Sequence, residues 1–146
     1  MGQRVAADTL IAASPPEVYR VIADLQAYPE WAEDVVSTEV VERDADGLPE
    51  LVAFAVDARI ATVHYVLQYQ HDRPRRVRWR LVEGEMLDQL DGSYLLEPTD
   101  DESGTTVRYA LEVSLAMPLP SYIQRRAARV ILETGLSGLR DRVEGR

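Results

Sequence analysis

The sequence predicts an α+β fold, in which a curved, seven-stranded antiparallel sheet wraps around a long C-terminal helix, with one or two short helices after the first strand. Seven strand-like runs, most with alternating apolar and polar residues, lie between an early and a late helical segment. The connections between successive runs are short, which favours an antiparallel meander because parallel strands need long crossovers. This order is typical of helices packed on one side of a sheet.

The first strand is predicted over residues 4–13, and a helix follows it directly. Ser14 is a suitable N-cap, and Glu17 three residues later completes a capping box. The helix should end before Pro29, because the residue preceding a proline avoids helical geometry. Residues 28–31 then predict a turn or a short second helix.

Six further strands follow, separated by polar turn clusters such as the predicted hairpin loop at residues 98–104. The cleanest alternation is that of Val77, Trp79 and Leu81 with three arginines, which predicts one buried and one solvated side. The six strands are predicted over residues 36–43, 52–60 (ending at Ile60), 63–69, 76–81, 90–96 and 107–115.

The last helix is predicted over residues 122–143, with Ser121 and Gln124 as a second capping box. Gly135 and Gly138 each weaken the helix by about 1 kcal/mol. Either the helix approaches the sheet closely at these glycines, or it breaks into two shorter helices. The expected apolar stripe consists of Ile123, Ala127, Val130, Ile131, Leu136, Leu139 and Val143.

Length and composition narrow the classes of function. With 146 residues, we expect a single domain over residues 1–146. The net charge of −9 argues against nucleic-acid binding, which needs clustered positive charge. Cysteine is absent, which excludes disulfides and thiolate chemistry. Every basic residue is an arginine, and two groups are interpreted as solvated faces: Arg73, Arg75, Arg76, Arg78 and Arg80, and Arg125, Arg126 and Arg129.

No membrane-spanning segment is predicted, because no apolar run approaches the ~18 residues that a bilayer requires. Met1 leads directly into a strand pattern and not into a secretory signal. We therefore expect a cytoplasmic location and leave transient membrane contact open.

A sheet curled around a helix leaves a small-molecule pocket if side chains do not fill the gap. The apolar face of each strand should point into it. Four tyrosines on these faces are informative, because a buried phenol needs a hydrogen-bond partner, either a ligand or a backbone carbonyl. Trp31 is interpreted as a gate or as a plain hydrophobic contact. The predicted ligand-binding residues are Trp31, Phe54, Val56, Tyr65, Leu67, Tyr69, Trp79, Tyr94, Tyr109, Leu111, Met117 and Ile131.

Catalytic signals are sparse. His64 and His71 lie seven residues apart and should face opposite sides of a straight strand, so no metal site is predicted. No nucleophile elbow, phosphate loop or dinucleotide fingerprint occurs, and no cofactor is expected. Asp88 is the one catalytic candidate: its parity with Leu90 would aim it inward, where desolvation raises a carboxyl pKa. The alternative places it at a strand end in water.

The chain resembles the START-like superfamily, and within it the polyketide cyclase/dehydrase and coenzyme Q-binding (SRPBCC) branch. The similarity lies in residues 14–19 (SPPEVY), 28–31 (YPEW), 90–98 (LDGSYLLEP) and 104–107 (GTTV), and in the long last helix. The resemblance implies a helix-grip fold with a hydrophobic cavity. Its members bind lipids, sterols, isoprenoid quinones or aromatic polyketides, and they share no catalytic set.

Three functions remain open at this point. The protein is a carrier or sequestering protein for a hydrophobic small molecule, a polyketide cyclase that folds its substrate and assists proton transfer, or a protein-interaction module. The expected partner is a hydrophobic small molecule, and the sequence does not fix the oligomeric state.

Overall fold

The computed structural model describes residues 2–59 and 61–145, and it contains one seven-stranded sheet in which all neighbouring strands are antiparallel. The spatial order is β1-β7-β6-β5-β4-β3-β2, so the chain meanders from β2 to β7 and β1 closes the far edge. The strands are β1 (Gln3–Ile11), β2 (Val35–Arg43), β3 (Pro49–Asp57), β4 (Thr62–Asp72), β5 (Arg76–Gly84), β6 (Leu87–Pro98) and β7 (Thr105–Leu115).

The helices complete the predicted α+β architecture, which is confirmed. They are α1 (Pro15–Ala23), a 3-10 helix (Leu25–Glu30) and α2 (Ser121–Glu144). Met1 and Ile60, which sequence analysis placed before the first strand and at the end of the third, lie outside the described residues.

Ser14 is the N-cap of α1 as predicted, since its hydroxyl accepts a hydrogen bond from the Glu17 N–H at 3.4 Å, but the reciprocal bond of a capping box is absent among the described residues. The helix ends at Ala23, well before Pro29, and the chain continues as the 3-10 helix. The Tyr28 hydroxyl donates a hydrogen bond of 2.6 Å to the Ile22 carbonyl. A tyrosine of the 3-10 helix therefore satisfies a carbonyl that the end of α1 leaves without a helical partner.

The last helix is continuous through both glycines, which answers the question left open by the sequence. A Cβ atom added at Gly135 would lie 2.9 Å from the Tyr109 ring, so the helix approaches the sheet too closely there for a side chain. The predicted Ser121 capping box is wrong. Pro120 occupies the N-cap position, and the Gln124 side chain donates instead to the Leu119 carbonyl at 3.1 Å.

The buried stripe of α2 also differs from the prediction. Its fully or nearly fully buried members are Ala128, Leu132, Leu136 and Leu139, which follow one another at helical spacing. Ile123, Val130 and Ile131 are exposed, because they lie on a neighbouring strip of the helix. Since several apolar residues of α2 lie off the packing line, its pattern alone does not identify the face that meets the sheet.

The solid part of the core lies beneath α1 and the C-terminal half of α2. There the side chains pack without access to solvent: Ile11, Val18, Ile22, Leu25, Leu96, Val107, Leu132 and Leu139. The opposite end of the sheet is not filled in this way, which leaves room for a cavity.

Candidate functional site

A cavity of about 400 Å3 lies between the sheet and α2. This volume is within the range of roughly 300–1,000 Å3 that is typical of small-molecule sites. All twelve predicted ligand-binding residues border it, and strand alternation turns the nine that lie on strands inward. Their contact with a ligand remains a prediction. The twelve are Trp31, Phe54, Val56, Tyr65, Leu67, Tyr69, Trp79, Tyr94, Tyr109, Leu111, Met117 and Ile131.

Sequence analysis missed other residues of the lining. Val63, Leu90 and Leu115 share the parity of their predicted neighbours, so the alternation pattern could have identified them. Thr134 and Gly135 follow Ile131 by one helical turn, which was the available signal for them. Ala58 shares the parity of Phe54 and Val56, and Val130 belongs to the predicted apolar stripe of the last helix. No comparable signal marked the remaining residues of the wall and mouth: Tyr28, Ala32, Glu33, Asp34, Val35, Met86 and Leu87.

An aromatic cluster forms one wall of the cavity. The Trp79 ring lies 5.3 Å from that of Tyr94 and 5.8 Å from those of Tyr69 and Tyr109, measured between centroids. The Tyr94 and Tyr109 rings are 4.5 Å apart. Offset and edge contacts of this kind contribute to stability beyond the area that they bury.

The hydroxyls of the cavity tyrosines (Tyr28, Tyr65, Tyr69, Tyr94 and Tyr109) are used differently. That of Tyr28 is satisfied by the Ile22 carbonyl. Those of Tyr94 and Tyr109 interact with each other. Within residues 2–59 and 61–145, no protein group forms a hydrogen bond with the hydroxyls of Tyr65 and Tyr69. These two phenols border the cavity with hydrogen-bonding capacity unused by the protein.

Burial raises the pKa of every cavity tyrosine, because a phenolate would lose its hydration in this environment. Neighbouring phenols raise these pKa values further, except that the hydrogen bond from Tyr109 partly opposes the rise at Tyr94. The hydroxyls therefore remain protonated at neutral pH. They can donate a hydrogen bond to an oxygen of a ligand, and they are poor bases.

The mouth of the cavity lies between the 3-10 helix and α2. The Trp31 ring packs on that of Tyr28, with centroids 4.8 Å apart. It also lies against Gly138, where an added Cβ would be 3.4 Å from the indole. Trp31 is therefore a packed part of the rim, and its action as a gate remains a prediction. Met86, Met117, Val130 and Ile131 surround the mouth with apolar side chains, and Glu33 and Asp34 lie at its edge.

Asp88 does not border the cavity. Leu87 pairs with Leu115 and Gln89 with Ser114, so two steps along β6 match one step along β7. This bulge at Asp88 reverses the alternation of the strand. Leu87 and Leu90 both face the cavity, and the inward orientation considered for Asp88 is wrong, since its side chain is exposed.

The two histidines have separate surroundings. His71 accepts a hydrogen bond from the Tyr19 hydroxyl at Nδ1 and donates from Nε2 to the Pro49 carbonyl, both at 2.6 Å. Burial raises the pKa of Tyr19 to about 12, although Arg73 opposes the rise. His64 is exposed and lies 3.1 Å from Glu85. Across the described ranges, no cluster of three or more histidines and acidic residues could hold a metal ion.

A second concavity of about 580 Å3 lies on the outer side of the rim and is mostly polar. Its lining includes Glu30, Glu133, Asp141 and Arg142, and Arg142 pairs with Glu30 at 3.0 Å. Charged, hydrated side chains give little attraction to an apolar ligand, so the cavity beneath α2 is the candidate site.

Comparisons with known proteins agree with this architecture. A family profile described as polyketide cyclase/dehydrase and lipid transport matches residues 2–144. A START superfamily protein from Mycobacterium smegmatis superposes with a TM-score of 0.92 at 21% identity, over 99% of each chain. A Thermus thermophilus protein gives 0.80 at 27% identity, over 96% of each chain.

The Zhui aromatase/cyclase from Streptomyces sp. R1128 gives a TM-score of 0.82 at 16% identity, covering 99% of this chain and 94% of that one. Among curated proteins, none matches the chain significantly. In the part of the chain that the structure describes, no helix combines the length and apolar character needed to cross a bilayer.

Proposed function

Because the chain belongs to the polyketide cyclase/dehydrase and lipid transport family, we propose that it binds a hydrophobic small molecule in the cavity beneath α2, as a carrier or sequestering protein. The observation that carries this proposal is an apolar cavity of about 400 Å3 with the unpaired phenols of Tyr65 and Tyr69 on its wall. An apolar wall supplies affinity at roughly 0.8 kcal/mol per buried methylene. The phenols supply orientation.

The wall also indicates the chemistry of the ligand. The charged lining residues, Glu33 and Asp34, belong to the mouth, so a charged group carried deep into the cavity would be desolvated without a partner. The protonated phenols need an acceptor oxygen. A largely apolar or aromatic molecule with one or two carbonyl oxygens, such as a quinone or an aromatic polyketide, meets both conditions.

Polyketide cyclisation is the second candidate function. The observation that favours it is the interacting pair Tyr94 and Tyr109, because a protonated phenol can donate to a carbonyl oxygen on which negative charge develops. Cyclisation also needs a base, and the described cavity wall offers carboxylates only at the mouth. Binding is therefore better supported than catalysis.

A cavity-filling variant tests the proposal. Leu67 points into the cavity and is 4% exposed, whereas its neighbour Val66 points to the opposite side of β4. We expect Leu67→Trp to abolish 1:1 binding of an uncharged probe, N-phenyl-1-naphthylamine, and of a short-chain ubiquinone. Its melting temperature should not fall much, because the indole occupies empty space.

Val66→Trp is the matched control and should bind both probes like the parent protein. Fluorescence titration and native mass spectrometry measure the affinity and the stoichiometry. Undiminished binding by a folded Leu67→Trp protein would place the probes outside the cavity and contradict the proposal.

A further inference from the structure

The exposed side of the first half of α2 combines apolar and basic side chains. Tyr122, Ile123 and Val130 are 74%, 38% and 55% exposed, which is unusual for side chains of this size in one short segment. Arg126 lies one helical turn from all three, at spacings of three or four residues. Arg129 is also exposed and lies one turn beyond it. We call these five residues the docking face.

The charge of this segment opposes that of the whole protein. The net charge is −9, but residues 121–132 contain Arg125, Arg126 and Arg129 and no acidic residue. Within residues 2–59 and 61–145, none of these three arginines forms an ion pair. Three unpaired guanidinium groups beside exposed apolar side chains are complementary to an anionic surface with an apolar layer beneath it.

The docking face adjoins the mouth of the cavity. Val130 belongs to both, and Ile131 and Met86 continue the apolar surface around the opening at 40% and 36% exposure. Glu33 and Asp34 also border the cavity, and Asp34 lies 3.9 Å from the Arg59 guanidinium. Because Arg126 and Arg129 lie beside the apolar opening, an anionic surface attracts the side of the molecule that carries the mouth of the cavity.

We propose that the docking face binds the surface of an anionic phospholipid bilayer and places the cavity mouth against the headgroup region. A hydrophobic ligand then passes between bilayer and cavity without crossing bulk water. An acidic protein partner would use the arginines, but it would leave unexplained why the apolar side chains are continuous with an apolar opening. The inference depends on the position of the cavity and not on the identity of its ligand.

Vesicle sedimentation with ligand-free protein tests the surface by itself, so its failure would leave the proposed ligand binding unaffected. We expect binding to vesicles of phosphatidylcholine with phosphatidylglycerol at low salt, little binding to phosphatidylcholine alone, and loss of binding as salt rises. Replacing Arg126 and Arg129 by Gln should weaken partitioning about 5-fold for each arginine. The double variant Arg78→Gln/Arg80→Gln removes equal charge from the exposed face of β5 and should bind like the parent.

Orientation is tested with an environment-sensitive dye, since the chain has no cysteine that would interfere with labelling. A dye on Tyr122→Cys should shift to shorter wavelength on anionic vesicles, whereas one on Leu10→Cys, an exposed site on β1, should not. Equal shifts at both sites, equal binding to both vesicle types, or equal losses in both arginine double variants would overturn the proposal. So would retention of full binding in Arg126→Gln/Arg129→Gln, or a finding that this variant dissociates a dimer or loses only an acidic protein partner.

Discussion

Two tyrosines of the same cavity allow one substitution to be compared in two settings. Tyr28 and Tyr69 are 9% and 6% exposed, and both rings border the cavity. The Tyr28 hydroxyl donates to the Ile22 carbonyl at 2.6 Å, whereas that of Tyr69 has no hydrogen-bond partner among the described residues. Substitution by phenylalanine removes one oxygen atom in each case and keeps the ring.

The structure predicts opposite consequences for stability and binding. Tyr28→Phe leaves a buried carbonyl at the end of α1 without a donor, which costs about 1–3 kcal/mol. For a chain of this length, that lowers the melting temperature by roughly 3–10 °C. Tyr69→Phe breaks no protein hydrogen bond, so the free energy of unfolding should change by less than about 0.5 kcal/mol.

For ligand affinity the order of the two variants should be reversed: Tyr69→Phe is expected to bind more weakly, and Tyr28→Phe is not. Tyr69→Phe should weaken binding of a short-chain ubiquinone up to about tenfold, since one hydrogen bond to a carbonyl is lost. It should leave N-phenyl-1-naphthylamine unaffected, because that probe has no carbonyl. Tyr28→Phe should bind both probes like the parent.

Denaturant unfolding and fluorescence titration supply the two measurements. Equal destabilisation by Tyr69→Phe and Tyr28→Phe would contradict the prediction, because the Tyr69 hydroxyl would then have a structural partner. Parental affinity for the quinone in both Tyr69→Phe and Tyr65→Phe would show that these hydroxyls do not recognise the ligand.

Three further predictions concern the stability of the folded protein. The pKa values of the cavity tyrosines are raised in the folded protein, so its stability is fully present below about pH 10 and is lost as pH rises further, because the unfolded chain releases these protons first. Absorbance at 295 nm and circular dichroism should show ionisation of the cavity phenols and unfolding together. Ionisation of all seven phenols in a protein that stays folded would contradict this. Gly135→Ala should lower the melting temperature despite its better helix propensity, whereas Gly138→Ala, with its nearest contact at 3.4 Å, should be neutral or stabilising by up to about 1 kcal/mol; equal shifts would refute the close approach to Tyr109. Tyr19→Phe should cost about 1 kcal/mol in urea unfolding by leaving His71 Nδ1 without its donor, and an unchanged midpoint would mean that this hydrogen bond adds nothing.

The strands and the cavity wall could be predicted because alternation is a local property. Once a strand has one apolar face, its period of two fixes which side chains point inward, as with Tyr65, Leu67 and Tyr69 on β4. The rule fails where the pairing partner contributes. The bulge at Asp88 is set by the pairing of β6 with β7, and the sequence of residues 87–90 contains no signal that predicts it.

The errors on α2 have a different cause. Capping by Ser121 requires an N-cap position that Pro120 already occupies. Ile123 and Val130 are apolar, but the helix buries the strip through Ala128 and Leu132, because that strip faces β1 and β7. The sequence shows how many apolar residues a helix has, and the docking of the helix on the sheet decides which of them become exposed.

The hydrogen bond between Tyr28 and Ile22 connects a residue of the cavity wall to the end of α1. Under the proposed function, adaptation of the cavity to a different ligand is expected at Tyr65 and Tyr69, whose hydroxyls form no hydrogen bond with another described residue. Any change that removes the phenol at position 28 also loosens the junction between α1 and the 3-10 helix. Among related proteins with different ligands, substitutions should therefore be concentrated on β4, while Tyr28 beneath Trp31 should vary little.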